Sequence, residues 1–363
     1  MRTLDRLLLA ELTRIFCATL AGVVALYLLI DYADRSHGFS GPGWPRAAAE
    51  LYANKAAIVT YQIAPGALVI AAALLVAVLA RRGELDALFA LGLSSLRLLL
   101  PVAAFAALVG VLIFALGEAV VVRAGARAEE IDIQRFGRWG EFSRYHAGSS
   151  WVRGAQGRIF HLGSPREGGF EPVTVLELSP RFHLARRIDA RRIEPAGPGR
   201  WRLLEAVELR FGAGLEVAER RLPEMVEAFP DKPSDLALRS GRPQTLGWLE
   251  LREQARRRAR LGQPTAREYQ LALAERAAQP LQSVPAALAA FALSLRRRSD
   301  RRAPRPLASA IALGLGLSLA LWAASIVARA AALSGTLAPA AAAFAAAGLS
   351  AALAAAALWV RPR

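Results

Sequence analysis

Six stretches of apolar residues, three near each end of the chain, constrain this sequence more than any other feature. A bilayer core of about 30 Å is crossed by about 20 apolar residues in a helix. The stretches are 15–30, 63–80, 98–122, 277–295, 307–328 and 336–360. The first runs on weakly through Asp31, Tyr32 and Ala33; it is long for the apolar part of a signal peptide, and no small-residue cleavage site follows it. The last three are rich in Ala, a composition that also suits a buried soluble helix, but their length and Arg-rich flanks favour a membrane. The expected fold class is an α-helical membrane protein with six transmembrane helices (3 + 3) around an inserted domain.

The net charge of +16 invites a nucleic-acid reading, so its location matters. Residues 125–245 hold 20 basic and 17 acidic residues, a difference of +3, and the remaining +13 belongs to the apolar ends and their flanks. Membrane proteins gather Lys and Arg in short cytoplasmic loops, which accounts for the excess without nucleic acid. With an inside N-terminus, the short inner segments carry fourteen Arg, against Arg35, Arg46, Lys55 and Arg329 in the short outer ones. That asymmetry places both termini in the cytoplasm and the middle segment outside, periplasmic in a bacterium with two membranes.

A single cysteine, Cys17, excludes an intramolecular disulfide, and in an apolar run it reads as packing. The four His residues show no metal-ligand spacing. No metal, no cofactor and no catalytic group is expected on this chain.

The middle reads as β structure. Short apolar or alternating runs at 150–153, 158–162, 173–178, 201–204 and 207–211 are separated by Gly- and Pro-rich turns, a pattern of an antiparallel sandwich or jellyroll. The chain therefore divides into 1–124, with spans one to three; 125–245, a periplasmic β-jellyroll-like domain; and 246–363, with an interfacial helix and spans four to six. In that interfacial helix, 246–261, Trp248, Leu251, Ala255 and Ala259 recur at helical spacing, and Arg252, Arg256, Arg257, Arg258 and Arg260 cover much of the remainder. Thr265 and Glu268 have capping-box spacing at the start of the next helix, and Pro280 and Pro285 predict a kink within the fourth span.

The connection between spans two and three, 81–96, carries the most information. Leu85, Leu88 and Phe89 share one face of a short helix, with Glu84 and Asp86 beside them. An apolar ridge with an acidic handle suits docking into a groove on a soluble partner. A helix lying on lipid headgroups fits the same periodicity. The chain has no Gly-x-x-x-x-Gly-Lys-[Ser/Thr] loop, so any ATP hydrolysis falls to a partner.

These residues resemble the LptF/LptG family of lipopolysaccharide-export permeases over essentially the full length. Leu4-Asp5-Arg6 is similar to the family's opening, and the Arg82-x-Gly83-Glu84-Leu85-x-x-Leu88 pattern, running to Ser95, is similar to its coupling helix. Gly117-Glu118, Tyr269-Gln270-Leu271 and Gln279-Pro280-Leu281 recur at equivalent places. The resemblance implies one permease of an ABC-type exporter, paired with a paralogous permease, LptF or LptG, on a cytoplasmic LptB-like ATPase dimer that uses ATP. It implies that Glu84, with Leu85, Leu88 and Phe89, engages that ATPase, and that the β domain joins LptC-like and LptA-like bridge proteins. Where some members carry a basic residue at the outer end of span one, this chain has Asp31, and Arg35 is the nearest basic side chain.

Arg35, Lys55, Arg123 and Arg329 are the candidates for lipid phosphates, since an Arg can hold a phosphate through two bonds; interfacial anchoring fits each of them singly as well. Glu118 is costly in an apolar run unless paired, and Arg123 or a neighbouring helix is its expected partner. With Pro280 it is read as structural. Rival functions are another ABC permease, for lipoprotein release or mechanotransmission, and a membrane enzyme or sensor. Three spans before the domain argue against the first, and the lack of a catalytic motif or output domain argues against the second.

Overall fold

A computed structural model describes residues 3–137, 150–154, 157–166, 169–179, 183–197, 199–212, 217–231, 242–260, 263, 265–298 and 306–359. The chain forms two compact units, one of Met1–Trp139, Gln244–Trp248 and Gln270–Arg363, the other of Gly140–Pro243 and Leu249–Tyr269.

The first unit is helical: α1 (Thr3–Arg35), α2 (Trp44–Arg81), α3 (Glu84–Ala90), α4 (Ser95–Leu116) and α5 (Val122–Gln134), followed later by α7 (Ala266–Arg298), α8 (Pro306–Ser334) and α9 (Pro339–Trp359). Among the described residues, five helical stretches, containing α1, α2, α4 with α5, α8 and α9, are long and apolar enough to cross a membrane. The span expected at 277–295 lies in α7, whose Gln279, Gln282 and Ser283 dilute its apolar run. A boundary expected at residue 125 falls inside α5, which prolongs the third span to Gln134 through a π-helical turn, Gly117–Val121.

The helix α2 lies at the centre. It buries a long row of small residues, Ala64, Ala67, Ala71, Ala72, Ala73 and Ala77, which lets neighbouring backbones come close. Ser294 of α7 donates to Ala73 O at 3.1 Å, and Ser318 of α8 donates to Gly66 O at 3.3 Å. A Cβ on Gly314 of α8 would stand 2.8 Å from Ile70 Cα, and one on Gly110 of α4 would stand 2.6 Å from the carbonyl oxygen of Pro280. Close backbone contact at these points stands beside the buried large side chains of α2, Leu68, Leu75 and Leu79.

Among its described residues the second unit holds seven antiparallel strands: β1 (Ser150–Arg153), β2 (Arg158–Arg166), β3 (Gly169–Leu178), β4 (Leu184–Ala190), β5 (Arg192–Gly197), β6 (Arg200–Phe211) and β7 (Val217–Ala228). Pairing follows chain order, with β4 and β5 sharing the place between β3 and β6. The two runs expected at 201–204 and 207–211 are one strand, interrupted at Glu205, whose φ is 51°. There the inward parity changes from Trp201 and Leu203 to Ala206 and Glu208, so a period-2 pattern breaks in sequence while the strand continues. The sheet curls back on itself: Phe229, just past β7, meets Phe160 of β2 edge to face at 5.4 Å. Their rings close a core with Val152, Val175, Ile188 and Trp201.

Also in this unit, α6 (Trp248–Arg260) places Arg258 inward rather than among the exposed charges. Its guanidinium stacks 4.1 Å over the Tyr269 ring and donates to the Thr265 hydroxyl at 2.9 Å. Burial pushes the Arg258 pKa below its usual value, and burial pushes the Tyr269 pKa up.

Candidate functional site

The helix α3 is bracketed by Gly83 (φ 73°) and Gly92 (φ 78°), left-handed positions that glycine fills without strain. They let the chain turn sharply out of α2, make two helical turns and turn again into α4, where the Ser94 hydroxyl accepts from the Arg97 N–H at 3.3 Å. The apolar ridge expected to meet a partner is divided by this geometry. Leu85 is 0% exposed, within the helical core, and Leu88 packs against that core. Facing inward, they hold α3 in place and are unavailable for docking. Phe89 stays 38% exposed, and Leu91 (78%) and Leu96 (66%) extend its surface beyond the helix. The two leucines were not singled out in the sequence because both lie outside α3, which ends at Ala90. Glu84 opens the helix with its side chain partly exposed and the Arg82 guanidinium 3.9 Å away. Asp86 is exposed in the same turn.

Of the four basic candidates, Arg35 and Lys55 share the Asp31 carboxylate, Arg329 is paired on another helix, and Arg123 is the exception. Asp31 accepts from Lys55 Nζ at 2.6 Å and from the Tyr52 hydroxyl at 2.7 Å. Arg35 lies 3.2 Å from Asp31 and 3.9 Å from Asp132. Arg329 of α8 donates to both oxygens of Glu275 on α7, at 3.0 and 2.8 Å. That pair closes one side of a cavity of about 410 Å³ also lined by Gln279, Gln282, Trp322 and Ser325. Arg123 is exposed and has no ion pair among the described residues.

Glu118 is paired, and its partner is not Arg123. Arg276 Nη1 donates to its Oε1 at 2.7 Å, and the Trp248 backbone N–H donates to its Oε2 at 2.8 Å. The π turn places Glu118 toward α7, whereas Arg123 points outward from the following turn. Pro280 sits in α7 against α4, its carbonyl oxygen under Gly110.

In the β unit, charged side chains continue the row of inward-facing positions beyond the apolar core. Arg158 donates to Glu177 at 2.7 Å, while Arg186 donates to Glu208 and to Glu227, each at 2.6 Å. Burial opposes ionisation of Glu208, but hydrogen bonds from Arg210 and Arg186 hold its carboxyl below the ordinary value. Among the described residues, no group of three or more His, Cys, Asp or Glu is arranged to hold a metal ion.

Compared with known proteins, residues 6–360 match the family model described as lipopolysaccharide export system permease LptF/LptG. No curated protein matches the chain.

Proposed function

The chain belongs to the LptF/LptG family of lipopolysaccharide export permeases, and on that premise we propose that it is one permease subunit of an ABC-type exporter. It is a multi-pass inner-membrane protein whose family transports lipopolysaccharide. In the proposed arrangement α7 carries the fourth of six spans, both termini are cytoplasmic and the β insert is periplasmic. Paired with a paralogous permease, the subunit draws lipopolysaccharide from the outer leaflet. The curled sheet, a jellyroll-like module, hands it to LptC-like and LptA-like bridge proteins. An LptB-like ATPase dimer on the cytoplasmic side supplies the energy from ATP, and this chain binds no cofactor.

The observation that carries the docking role is the surface of α3 and the turn after it: a partly exposed acidic Glu84 and an exposed Phe89 on a helix anchored from beneath by Leu85, followed by exposed Leu91 and Leu96. A charge next to an exposed apolar patch suits a groove on a soluble protein better than lipid headgroups, which give no fixed cation. Of the four basic candidates for the lipid phosphates, Arg123 is the one that could take a phosphate without giving up an ion pair found among the described residues; Arg35, Lys55 and Arg329 would exchange a carboxylate for it.

Substituting Glu84→Ala is expected to reduce ATPase co-purification and lipid release while membrane insertion is unchanged, since a hydrogen bond to a charged group contributes about 1.5–3 kcal/mol. Unaltered co-purification would return α3 to the lipid surface. Orientation is tested on a Cys17→Ser background by labelling Leu91→Cys and Val217→Cys, both exposed. Labelling from opposite sides is expected.

A further inference from the structure

We propose that α1 is moved from its inner end by the α3 loop, with Asp5 and Glu11 as the positioning residues that receive the motion. The inference rests on the docking role of α3 and adds where the resulting movement goes.

Both ends of the 82–97 loop hold the same helix. Arg97, in the first turn of α4, donates from one Nη2 to both carboxylate oxygens of Asp5, at 2.7 and 2.9 Å. Arg82, which follows the last residue of α2, reaches Glu11 at 3.2 Å. Between these two acidic residues, Leu8 is buried in the core that also takes in Leu85 and Leu98, and Leu12 joins it one residue beyond Glu11. Phe16 is the last buried one, edge to face with Phe105 at 5.7 Å, and Leu20 packs on the same core one turn further on. Beyond Phe16 no residue of α1 is buried.

At the outer end α1 is fastened again, but to α2, through Asp31 with Lys55 and Tyr52. α1 thus lies along the central helix, joined to it by ion pairs at the outer end, while its inner end is joined to the loop proposed to meet the ATPase. Displacing the loop turns such a helix about its outer attachment. Arg82 also links the two functions electrostatically, since it stands between Glu11 at 3.2 Å and Glu84 at 3.9 Å. A cation from the partner that engages Glu84 leaves Arg82 to Glu11 alone. Arg82 is half-exposed, so its contact with Glu11 contributes little to stability, whereas the Asp5–Arg97 pair is largely enclosed and is the firmer of the two links.

The test uses the assembled exporter in lipid nanodiscs, with a spin label on Cys17 and a second on Leu349→Cys of α9. Cys17 is the chain's one cysteine; it is exposed and lies directly beyond the gripped turns. The distance between labels should shift when a non-hydrolysable ATP analogue is added. Asp5→Arg and Arg97→Asp should each abolish that shift and lower lipid release about tenfold, within the usual range of a coupling free energy. ATPase co-purification should persist in both. The double swap should restore shift and release to within about twofold of the unsubstituted chain, as for two residues acting through each other. Asp5→Asn, which keeps the shape and removes the charge, is the milder variant and is read by the same shift. A shift that survives in the single variants, or that fails to return in the swap, overturns the proposal. Failure of the docking role is seen separately, as Glu84→Ala leaving ATPase co-purification intact.

Discussion

Two neighbouring helices of similar length and apolarity are used in opposite ways. α1 has 33 residues and α2 has 38, and both are long and apolar enough to cross a membrane. None of the most apolar stretch of α1 is buried, against 61% of that of α2. Apolar character gives a helix its place in a bilayer but supplies no drive for helices to associate there, because lipid tails are as apolar as leucine. Association follows from small residues that admit close backbones. α2 has them on every side, at Ala64, Gly66, Ala67 and Ala71 to Ala73, whereas the middle of α1 presents Val23, Leu26, Tyr27, Leu29 and Ile30 outward. α2 is enclosed by packing along its length, whereas α1 lies against α2 on one side, is gripped by ion pairs near both ends and leaves its remaining surface open.

The largest expected effect comes from one kind of substitution made in the two settings. Gly314→Leu places a side chain where even a Cβ lies 2.8 Å from the Ile70 backbone of α2, whereas a Cβ on Gly22 of α1 meets nothing within 4 Å. Overpacking typically costs about 1–3 kcal/mol and more where backbone must move. Gly314→Leu should therefore lower the yield of monodisperse protein in detergent and its melting temperature, while Gly22→Leu leaves both unchanged. Equal losses would mean that α1 is packed as tightly as α2.

A truncation pair gives a smaller, graded version. Leu75→Ala in α2 removes a fully buried side chain and should destabilise by about 2–5 kcal/mol. Leu26→Ala, at a side chain 57% exposed, should stay within about 0.5 kcal/mol for the isolated subunit in chemical unfolding. If Leu26→Ala then impairs the assembled exporter alone, the bare face of α1 is a contact surface completed by another chain.

The smallest effect carries the contrast between ionic and apolar fastening into the β insert. The folded-state pKa of Glu208 is depressed, so its pairing with Arg210 and Arg186 contributes stability above the unfolded carboxylate value of about 4.3. That contribution disappears as pH falls through the lower folded value. Amide exchange in β6 should accelerate below about pH 4 relative to α2, and Glu208→Gln should flatten that acid response. An unchanged profile would mean that the charged row adds nothing to the apolar core beside it.

Much of this was readable in the chain. Apolar runs marked the five helices long and apolar enough to cross a membrane, and turn-separated alternation marked a β-rich middle. The strands that escaped notice, β4, β5 and β7, carry Arg and Glu at inward or edge positions, Arg186 and Glu227 among them, which hides a period-2 pattern. The third long helix was read as ending too early because Arg127, Glu129 and Asp132 look like soluble sequence; in α5 the last two are buried. The α3 motif was legible as a candidate, but the division between Leu85 inside and Phe89, Leu91 and Leu96 outside was not, since periodicity gives a shared face without saying what that face meets.

By itself the sequence determined the membrane class, the insertion of a β-rich segment and the family, because hydrophobic length, turn chemistry and motif order are properties of neighbouring residues. Tertiary structure alone decided that Glu118 pairs with Arg276, that Arg329 pairs with Glu275, and that Asp5 and Glu11 hold opposite ends of one loop. Those pairings join residues 54 to 158 positions apart, and which charges meet across such separations is set by how the helices pack, a matter on which local pattern is silent.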